Sequence, residues 1–164
     1  MAGTARDLMQ TRIVTVTPSQ PLPELLAVLL RHRIHGAPVV EDGRLVGIIS
    51  RSDVVRQLKL EEERIADSAF YFEPFDADEH RTQDQARALE AVASRVAKLR
   101  VRDVMIRDLI TIDLDAKVEA IARVMQERRV HRILVTEGEQ LRGIISSLDL
   151  VGLLADGRAA MVGG

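Results

Sequence analysis

An internal repeat constrains the fold of this 164-residue chain more than any other feature of its sequence. Residues 6–58 align with residues 102–154 at an offset of 96 positions without a gap, and 17 of the 53 aligned positions are identical. Such self-similarity indicates a duplication. Several identities are polar, which a hydrophobic core alone would not require. They include Arg6/Arg102, Asp7/Asp103, Thr15/Thr111, His35/His131, Ser50/Ser146 and Asp53/Asp149.

Each copy opens with a pattern that predicts a strand followed by a helix. The β-branched runs at residues 12–17 and 109–113 are typical of strands. Apolar residues at helical spacing follow each run, beginning near Leu22 in the first copy and near Val118 in the second. Both copies should therefore begin with the same strand-helix unit.

Each copy then continues with two strands and a second helix. Residues 37–40 and 44–50 flank an Asp42-Gly43 dipeptide, which favours a tight hairpin turn, and residues 132–146 repeat the pattern. A sheet covered by helices on one face has its other face left to bury. The sequence thus predicts an α/β fold in which two pseudo-symmetric strand-helix-strand-strand-helix repeats, at 6–58 and 102–154, pack as one compact module.

The repeat does not explain residues 59–101, which join the copies. Their first part is acidic and is predicted to be irregular, whereas residues 83–99 carry apolar positions at helical spacing. All four aromatic residues fall here: Phe70, Tyr71, Phe72 and Phe75. They either anchor the connection to the core or lie at a ligand or subunit interface, where aromatics are favoured. Residues 155–164 are expected to form a flexible tail.

Composition argues against several classes of function. A net charge of −2, from 23 basic and 25 acidic residues, gives no electrostatic reason to expect nucleic acid or a membrane surface as partner. The absence of cysteine excludes disulfides and thiolate metal sites. The start of the chain does not resemble a signal peptide, and the longest apolar stretch is far too short to span a bilayer. We therefore expect a cytoplasmic protein.

A repeated Ser-x-x-Asp sequence ends the last strand of each copy, as Ser50/Asp53 and Ser146/Asp149. One interpretation is a helix-capping box, although Glu or Gln usually supplies the acid. The other is a binding element, because a short carboxylate beside a helix N-terminus can accept two hydrogen bonds from a ribose diol, each contributing about 1.5–3 kcal/mol. Spacing alone does not choose between them.

The ordered set of motifs resembles the cystathionine-β-synthase (CBS) domain family, present as a tandem pair, or Bateman module. In this sequence the set runs from Arg-Asp-x-Met through a Thr-containing strand and "HGAPVV" or "HRILV" to G-I-I-S-x-x-D. The second copy is also similar to repeats in the γ regulatory subunits of AMP-activated protein kinase. The resemblance covers about two thirds of the chain.

The resemblance implies adenosine-type ligands in two pseudo-symmetric clefts between the repeats. Ser and Asp of each copy would contact ribose, backbone and apolar groups would enclose adenine, and His35 or His131 with Arg132 would face phosphates. The first cleft would comprise Val14, Thr15, His35, Ala37, Pro38, Ile48, Ser50 and Asp53. The second would comprise Ile110, Thr111, His131, Arg132, Ile133, Leu134, Ile144, Ser146 and Asp149.

The two clefts are predicted to be unequal. Leu134 stands where the first copy has the usual Pro38, and Arg132 stands where it has Gly36, so the second cleft should favour more phosphate charge. For both histidines the alternative is a partly buried polar residue at the start of a strand. A metal site at the two histidines is disfavoured because no carboxylate lies at ligand spacing. Met9 and Met105 fit core positions better than ligand contacts.

The leading functional hypothesis is a regulatory sensor with no required cofactor. It would bind AMP, ADP or ATP, with S-adenosylmethionine and NAD as further candidates, and act on a separate enzyme or transporter, as a homodimer by analogy with the family. The alternative is an interaction or dimerisation module with vestigial clefts. A Ser-His-Asp hydrolase is disfavoured because Ser50 lacks the G-x-S-x-G elbow. We therefore expect the chain not to be an enzyme.

Overall fold

The structure, a computed structural model, describes residues 3–70 and 81–155. In the first half of the chain, α1 (Ala5–Leu8) and α2 (Leu22–Arg31) precede strands β1 (Gly36–Glu41) and β2 (Arg44–Ser50) and helix α3 (Arg51–Phe70). The second half repeats this order with α4 and β3 added, and the mixture of helices and strands confirms the predicted α/β class. It contains α4 (Arg81–Lys98), α5 (Val101–Val104), β3 (Thr111–Asp113), α6 (Val118–Arg128), β4 (Arg132–Glu137), β5 (Gln140–Ser146) and α7 (Ser147–Ala155).

The chain divides into two compact units, and neither coincides with one copy of the repeat. The first unit comprises residues 1–15, 40–46 and 108–164, and the second comprises residues 16–39 and 47–107. The short helix that opens each copy therefore belongs to the unit that contains the other copy's last strand and helix. Sequence reasoning did not predict this exchange.

The first unit is built on β4, which lies between a parallel and an antiparallel neighbour. Thr111 of β3 pairs in parallel with Leu134 of β4, and Leu134 pairs in antiparallel register with Ile144 of β5. The tip of the β1–β2 hairpin joins the other side of β5, where Arg44 pairs with Gln140. A core cluster packs against this sheet and contains Ala5, Leu114, Ile121, Met125, Ile133, Val135 and Ile145.

In the second unit, α5 is tied to the segment that leads into α2. The N–H of Val101 donates to the carbonyl of Gln20 at 2.9 Å, and the N–H of Leu22 donates to the carbonyl of Leu99 at 3.1 Å. Val101 and Leu22 are fully buried. The other fully buried side chains of this unit include Leu25, Val39 and Ile49. Within α2, the spacing of Leu22 and Leu25 matches the predicted apolar face.

The predicted strand at residues 12–17 does not form, and this prediction is wrong. Only Val16 makes a bridge, pairing in parallel with Val39 and donating its N–H to the carbonyl of Pro38 at 3.0 Å. Proline has no N–H to return a bond to a neighbouring strand, so the ladder cannot extend past it. Leu134, which occupies the equivalent position in the second copy, does have this donor, and β3 pairs there as a regular strand.

The prediction of an irregular segment after Leu60 is also wrong for its first residues, because α3 continues to Phe70. Glu61 stabilises this part of the helix. Its carboxylate accepts from Gln57 at 3.2 Å and pairs with Arg64 at 3.4 Å, while its other oxygen pairs with Arg95 of α4 at 3.3 Å. These bonds satisfy a glutamate whose side chain is only 7% exposed.

Two further predictions concern residues that the structure leaves largely undescribed. Tyr71, Phe72 and Phe75 lie outside the described residues, and so does the side chain of Phe70. The interpretation of the aromatic cluster therefore stays a prediction. The same holds for the flexible tail, of which only Ala155, the last residue of α7, is described.

Candidate functional site

In both Ser-Asp turns the aspartate carboxylate reaches back to the serine that precedes the helix. Ser50 and Ser146 are the last residues of β2 and β5, directly before α3 and α7. Oδ2 of Asp53 accepts from the Ser50 N–H at 2.8 Å and from its hydroxyl at 2.5 Å. Oδ2 of Asp149 accepts from the Ser146 N–H at 2.7 Å and from its hydroxyl at 2.6 Å. The return bond of a capping box is therefore present in both copies. Its other bond, from the aspartate N–H to the serine hydroxyl, occurs among the described residues in the second copy, at 3.3 Å, and not in the first, so the full box is confirmed for Ser146–Asp149.

The second carboxylate oxygen distinguishes the two turns. Oδ1 of Asp53 lies 3.1 Å from the guanidinium of Arg56, three residues along the same helix. Oδ1 of Asp149 accepts from the side-chain amide of Gln10 at 3.0 Å. At the repeat offset of 96 positions, Arg56 corresponds to Gly152 and Gln10 corresponds to Ile106. One carboxylate is thus paired with a cation, and the other with a neutral amide.

Burial follows the same division. Asp53 is 5% exposed, whereas Asp149 is only partly buried. Burial raises the pKa of Asp149, but hydrogen bonds from the Ser146 hydroxyl and N–H and from Gln10 outweigh it, so the pKa is lowered overall from 3.8. Asp149 is therefore ionised at neutral pH and able to accept hydrogen bonds from a ligand.

Each histidine lies beside the first residue of the helix that follows its Ser-Asp turn. The carbonyl of His35 accepts from the Arg51 N–H at 2.9 Å, and the carbonyl of His131 accepts from the Ser147 N–H at 2.9 Å. Both imidazoles are exposed. In the first copy, the guanidinium of Arg51 also contacts Nδ1 of His35. The second copy has Ser147 in place of Arg51 and so cannot make that contact.

The first unit brings the residues expected for the second cleft together around three strands. Arg132 lies opposite Ser146 in the β4–β5 ladder, and Leu134 lies between Ile144 and Thr111. Backbone bonds join Ile144 to Gln10 in both directions, at 2.9 and 3.0 Å. Because neighbouring strand residues face opposite sides, Ile133 belongs to the core cluster, and Ile110 packs against that cluster. Ile133 could therefore reach a ligand on the Leu134 side only through its backbone.

The residues expected for the first cleft are divided between the two units. Val14 and Thr15 belong to the first unit, and His35, Ala37, Pro38, Ile48, Ser50 and Asp53 belong to the second. Ala37 and Pro38 are buried, whereas Ile48 is half-buried.

Gly36 marks a further difference between the copies. A Cβ atom there would lie 2.8 Å from the carbonyl oxygen of Ile49 and 3.2 Å from Cα of Ser50. The carbonyl oxygen of Ile49 is therefore too close to admit a side chain at Gly36 without a shift. The second copy has an exposed arginine, Arg132, at the equivalent position.

Sequence reasoning missed Gln10, Arg51 and Arg56, although the repeat alignment carried the signal. Each differs in chemistry from its counterpart in the other copy, namely Ile106, Ser147 and Gly152. The search for function followed identities between the copies and so passed over these differences. The expectation for Met9 and Met105 fits the packing, because Met9 lies against the core cluster of the first unit and Met105 contacts Gly47 in the second.

The described residues give no support to metal or triad chemistry at these turns. No cluster of three or more His, Asp or Glu side chains that could hold a metal ion occurs in residues 3–70 and 81–155. The hydroxyls of Ser50 and Ser146 donate to Asp53 and Asp149, whereas a triad serine would donate to histidine. In the same ranges, no helix has the length and hydropathy to cross a bilayer.

Comparison with known proteins identifies relatives along nearly the whole chain. An uncharacterized protein of Methanocaldococcus jannaschii, MJ1426, is 31% identical over 153 residues, which cover 91% of this chain and 89% of that one. Two longer proteins of the same organism, MJ1404 and a protein named zinc metalloprotease MJ0392, are each 27% identical. The chain spans 31% of each of these.

Solved structures have the same fold. The CBS domain of a CBS domain-containing membrane protein from Sphaerobacter thermophilus matches 93% of this chain and 88% of its own, with a TM-score of 0.66 and 28% identity. CBSX2, solved in complex with AMP, matches 94% of this chain and 98% of its own, with a TM-score of 0.67 and 22% identity. The CBS domain family model matches residues 5–60 and 101–156. The chain therefore belongs to the CBS domain family and carries two CBS repeats in tandem.

Proposed function

We propose that the chain is a regulatory module that binds an adenosine nucleotide and acts on a separate partner. The observation that carries the proposal is the Ser146–Asp149 turn. It presents a partly buried, ionised carboxylate at the N-terminus of α7, with the exposed Arg132 opposite Ser146 in the adjoining strand pair. A vicinal diol fits the carboxylate, and a phosphate fits the cation. The AMP complex of CBSX2 supports AMP as the first ligand to test.

Capping and ligand binding are compatible at this turn. The capping bonds use Oδ2 of Asp149, while Oδ1 accepts only from Gln10 among the described residues. Gln10 is an exposed side chain, so a ribose hydroxyl can replace its amide at modest cost. One carboxylate can thus fix the helix start and hold a diol at once.

A binding role accounts for these residues better than a catalytic one. The serine hydroxyls are committed to the aspartates, and nothing in the turns activates a nucleophile. Binding becomes regulatory if the nucleotide prefers one conformation of the chain, because it shifts the population only by its differential affinity. The regulated enzyme or transporter is then a separate protein.

Thermal unfolding across a ligand panel tests this function. The full chain is heated with AMP, ADP, ATP, NAD and S-adenosylmethionine, and Asp149→Asn serves as the matched variant. A ligand at 100 times its Kd should stabilise the native chain by about 2.7 kcal/mol. Melting temperatures unchanged by every member of the panel would refute nucleotide binding.

A second candidate function is self-association, which one surface favours. On α7, Leu148 is 77% exposed and Val151 is 54% exposed, and their spacing places them on one face of the helix. Val55 of α3, at the position equivalent to Val151, is 50% exposed. Exposed apolar side chains on one face of a helix, such as Leu148 and Val151, are typical of interfaces. We propose a homodimer that buries α7.

Sedimentation equilibrium tests the homodimer. The native chain should sediment at twice the 18.2 kDa monomer mass, and Leu148→Glu should shift it to the monomer. The exposed Arg142→Gln is the control and should remain dimeric. A native chain that stays monomeric at all concentrations would contradict the proposal and leave nucleotide binding intact.

A further inference from the structure

The two Ser-Asp turns differ in which groups of the chain already occupy them. In the first copy, Arg51 contacts the imidazole of His35, and Arg56 pairs with the free oxygen of Asp53. The second copy has Ser147 and Gly152 at those positions, and neither can supply a cation. The arginines that engage the first turn therefore have no counterpart at the second.

The exchange of partners needed for ligand binding also differs between the turns. A ribose hydroxyl is a neutral donor. At Asp149 it would replace a neutral amide from the exposed Gln10. At Asp53 it would replace a charge-assisted bond to a carboxylate that is only 5% exposed, and such bonds are stronger than neutral ones.

The backbone adds a third difference. At Gly36 the first copy has no side chain, and the close approach of the Ile49 carbonyl oxygen excludes one. At the equivalent position the second copy presents Arg132, which is exposed and lies opposite Ser146 in the strand pair. Arg132 is thus available beside Ser146 to pair with phosphate. In the first copy, Arg51 is engaged with His35 and Arg56 with Asp53.

We infer that the chain binds one adenosine nucleotide, at the Ser146–Asp149 turn, and that Arg51 and Arg56 keep the Ser50–Asp53 turn occupied by the protein itself. This inference rests on the proposed function and specifies its site. The first turn is then a structural copy of the second. Arg51 and Arg56, in the first two turns of α3, determine whether the Ser50–Asp53 turn is open to a ligand.

Calorimetric titration of the full chain with AMP tests the inference through stoichiometry. The native chain should bind one AMP per chain. Asp149→Asn should weaken that binding about 10- to 100-fold, the range expected for a hydrogen bond to a charged group. Arg51→Ala/Arg56→Ala should add a second binding event. Circular dichroism melting of each unliganded variant checks that it folds.

Gly152→Arg is the reciprocal variant. A Cβ at Gly152 meets nothing within 4 Å, so the new side chain has room, and it reproduces the spacing of Arg56 to Asp53 at Asp149. AMP should bind about two- to fivefold more weakly, as expected for an exposed ion pair that must be broken. The protein should nonetheless melt at a higher temperature, because arginine has a higher helix propensity than glycine.

Three results would overturn the inference while leaving nucleotide binding standing. They are two equal AMP sites in the native chain, loss of its single site in Asp53→Asn but not in Asp149→Asn, and no second site in the double arginine variant. A different result refutes the proposed function itself, namely no heat of binding from AMP, ADP or ATP in either the native chain or the double variant.

Discussion

The Ser50–Asp53 and Ser146–Asp149 turns share two hydrogen bonds from serine to aspartate and differ in what holds the remaining carboxylate oxygen. In both, the aspartate accepts from the serine N–H and hydroxyl at 2.5–2.8 Å. The first aspartate is nearly buried and faces Arg56, and the second is more exposed and faces Gln10. An identical motif can therefore give two different sites, because residues outside the motif complete each one.

Truncating equivalent core residues should cost the two copies the same stability. Ile49 and Ile145 occupy equivalent positions in β2 and β5, and both are fully buried. Ile49→Ala and Ile145→Ala should each lower the free energy of unfolding by about 2–5 kcal/mol, because each leaves a cavity. Urea denaturation measures both. Costs that differ several-fold would show that the copies are not equivalent in their cores.

Replacing the glycine that lies three residues before the serine of each Ser-Asp turn should lower stability by different amounts in the two copies. A Cβ at Gly143 would lie 2.6 Å from Cβ of Met9, whereas one at Gly47 would meet chiefly the flexible end of Met105, with Sδ at 2.7 Å. Gly143→Ala should therefore cost about 1–3 kcal/mol, as overpacking does, and Gly47→Ala should cost less. Denaturant midpoints provide the measurement. Met9→Ala removes the Sδ and Cγ atoms that also crowd this position but keeps the Met9 Cβ, so it should recover only part of the loss in Gly143→Ala and none of that in Gly47→Ala.

Removing each aspartate tests the turns themselves. Asp53→Ala and Asp149→Ala should each cost about 0.5–2 kcal/mol, the size of a helix cap. Asp53→Ala should be the more costly, because it also removes the partner of Arg56. Thermal melts of the unliganded variants compare them. A larger loss at Asp149 would mean that Arg56 adds nothing to the first turn.

The smallest effect expected is a pH dependence of the stability that Asp149 contributes at the second turn. Because the pKa of Asp149 in the folded chain lies below 3.8, its contribution to stability is fully present above that value and is lost as pH falls through the folded pKa. The stability difference between the native chain and Asp149→Asn should therefore be constant near neutrality and shrink below about pH 4. Urea titrations from pH 7 to 3 measure it. A difference that grows on acidification would contradict the lowered pKa.

Repetition and local chemistry predict most of the fold and part of the site. Regular spacing locates α2, and the Asp42-Gly43 dipeptide locates the hairpin between β1 and β2. The capping box of the second copy follows from Ser and Asp at the right spacing. These predictions succeed because each rests on bonds between residues close in sequence, whose geometry depends little on the remainder of the chain.

Predictions failed where a residue distant in sequence determines the local structure. The run at residues 12–17 has strand propensity, but Pro38 in the facing strand cannot supply the ladder bond. The polar residues after Leu60 suggest a loop, but Glu61 is bonded from both α3 and α4. Gln10 reaches Asp149 across 139 positions of sequence. No local pattern encodes such contacts.

The exchange of opening helices between the units has a consequence for biosynthesis. Ala5 is synthesised before Ile121 and Ile145, yet it completes a core with them. The first unit therefore cannot finish folding until Ile145 has been made. The second unit, which ends at Arg107, can form earlier. The segment around Ala5 can complete its packing only after residues more than a hundred positions downstream have been made, so the unit that begins earlier in the sequence is finished later.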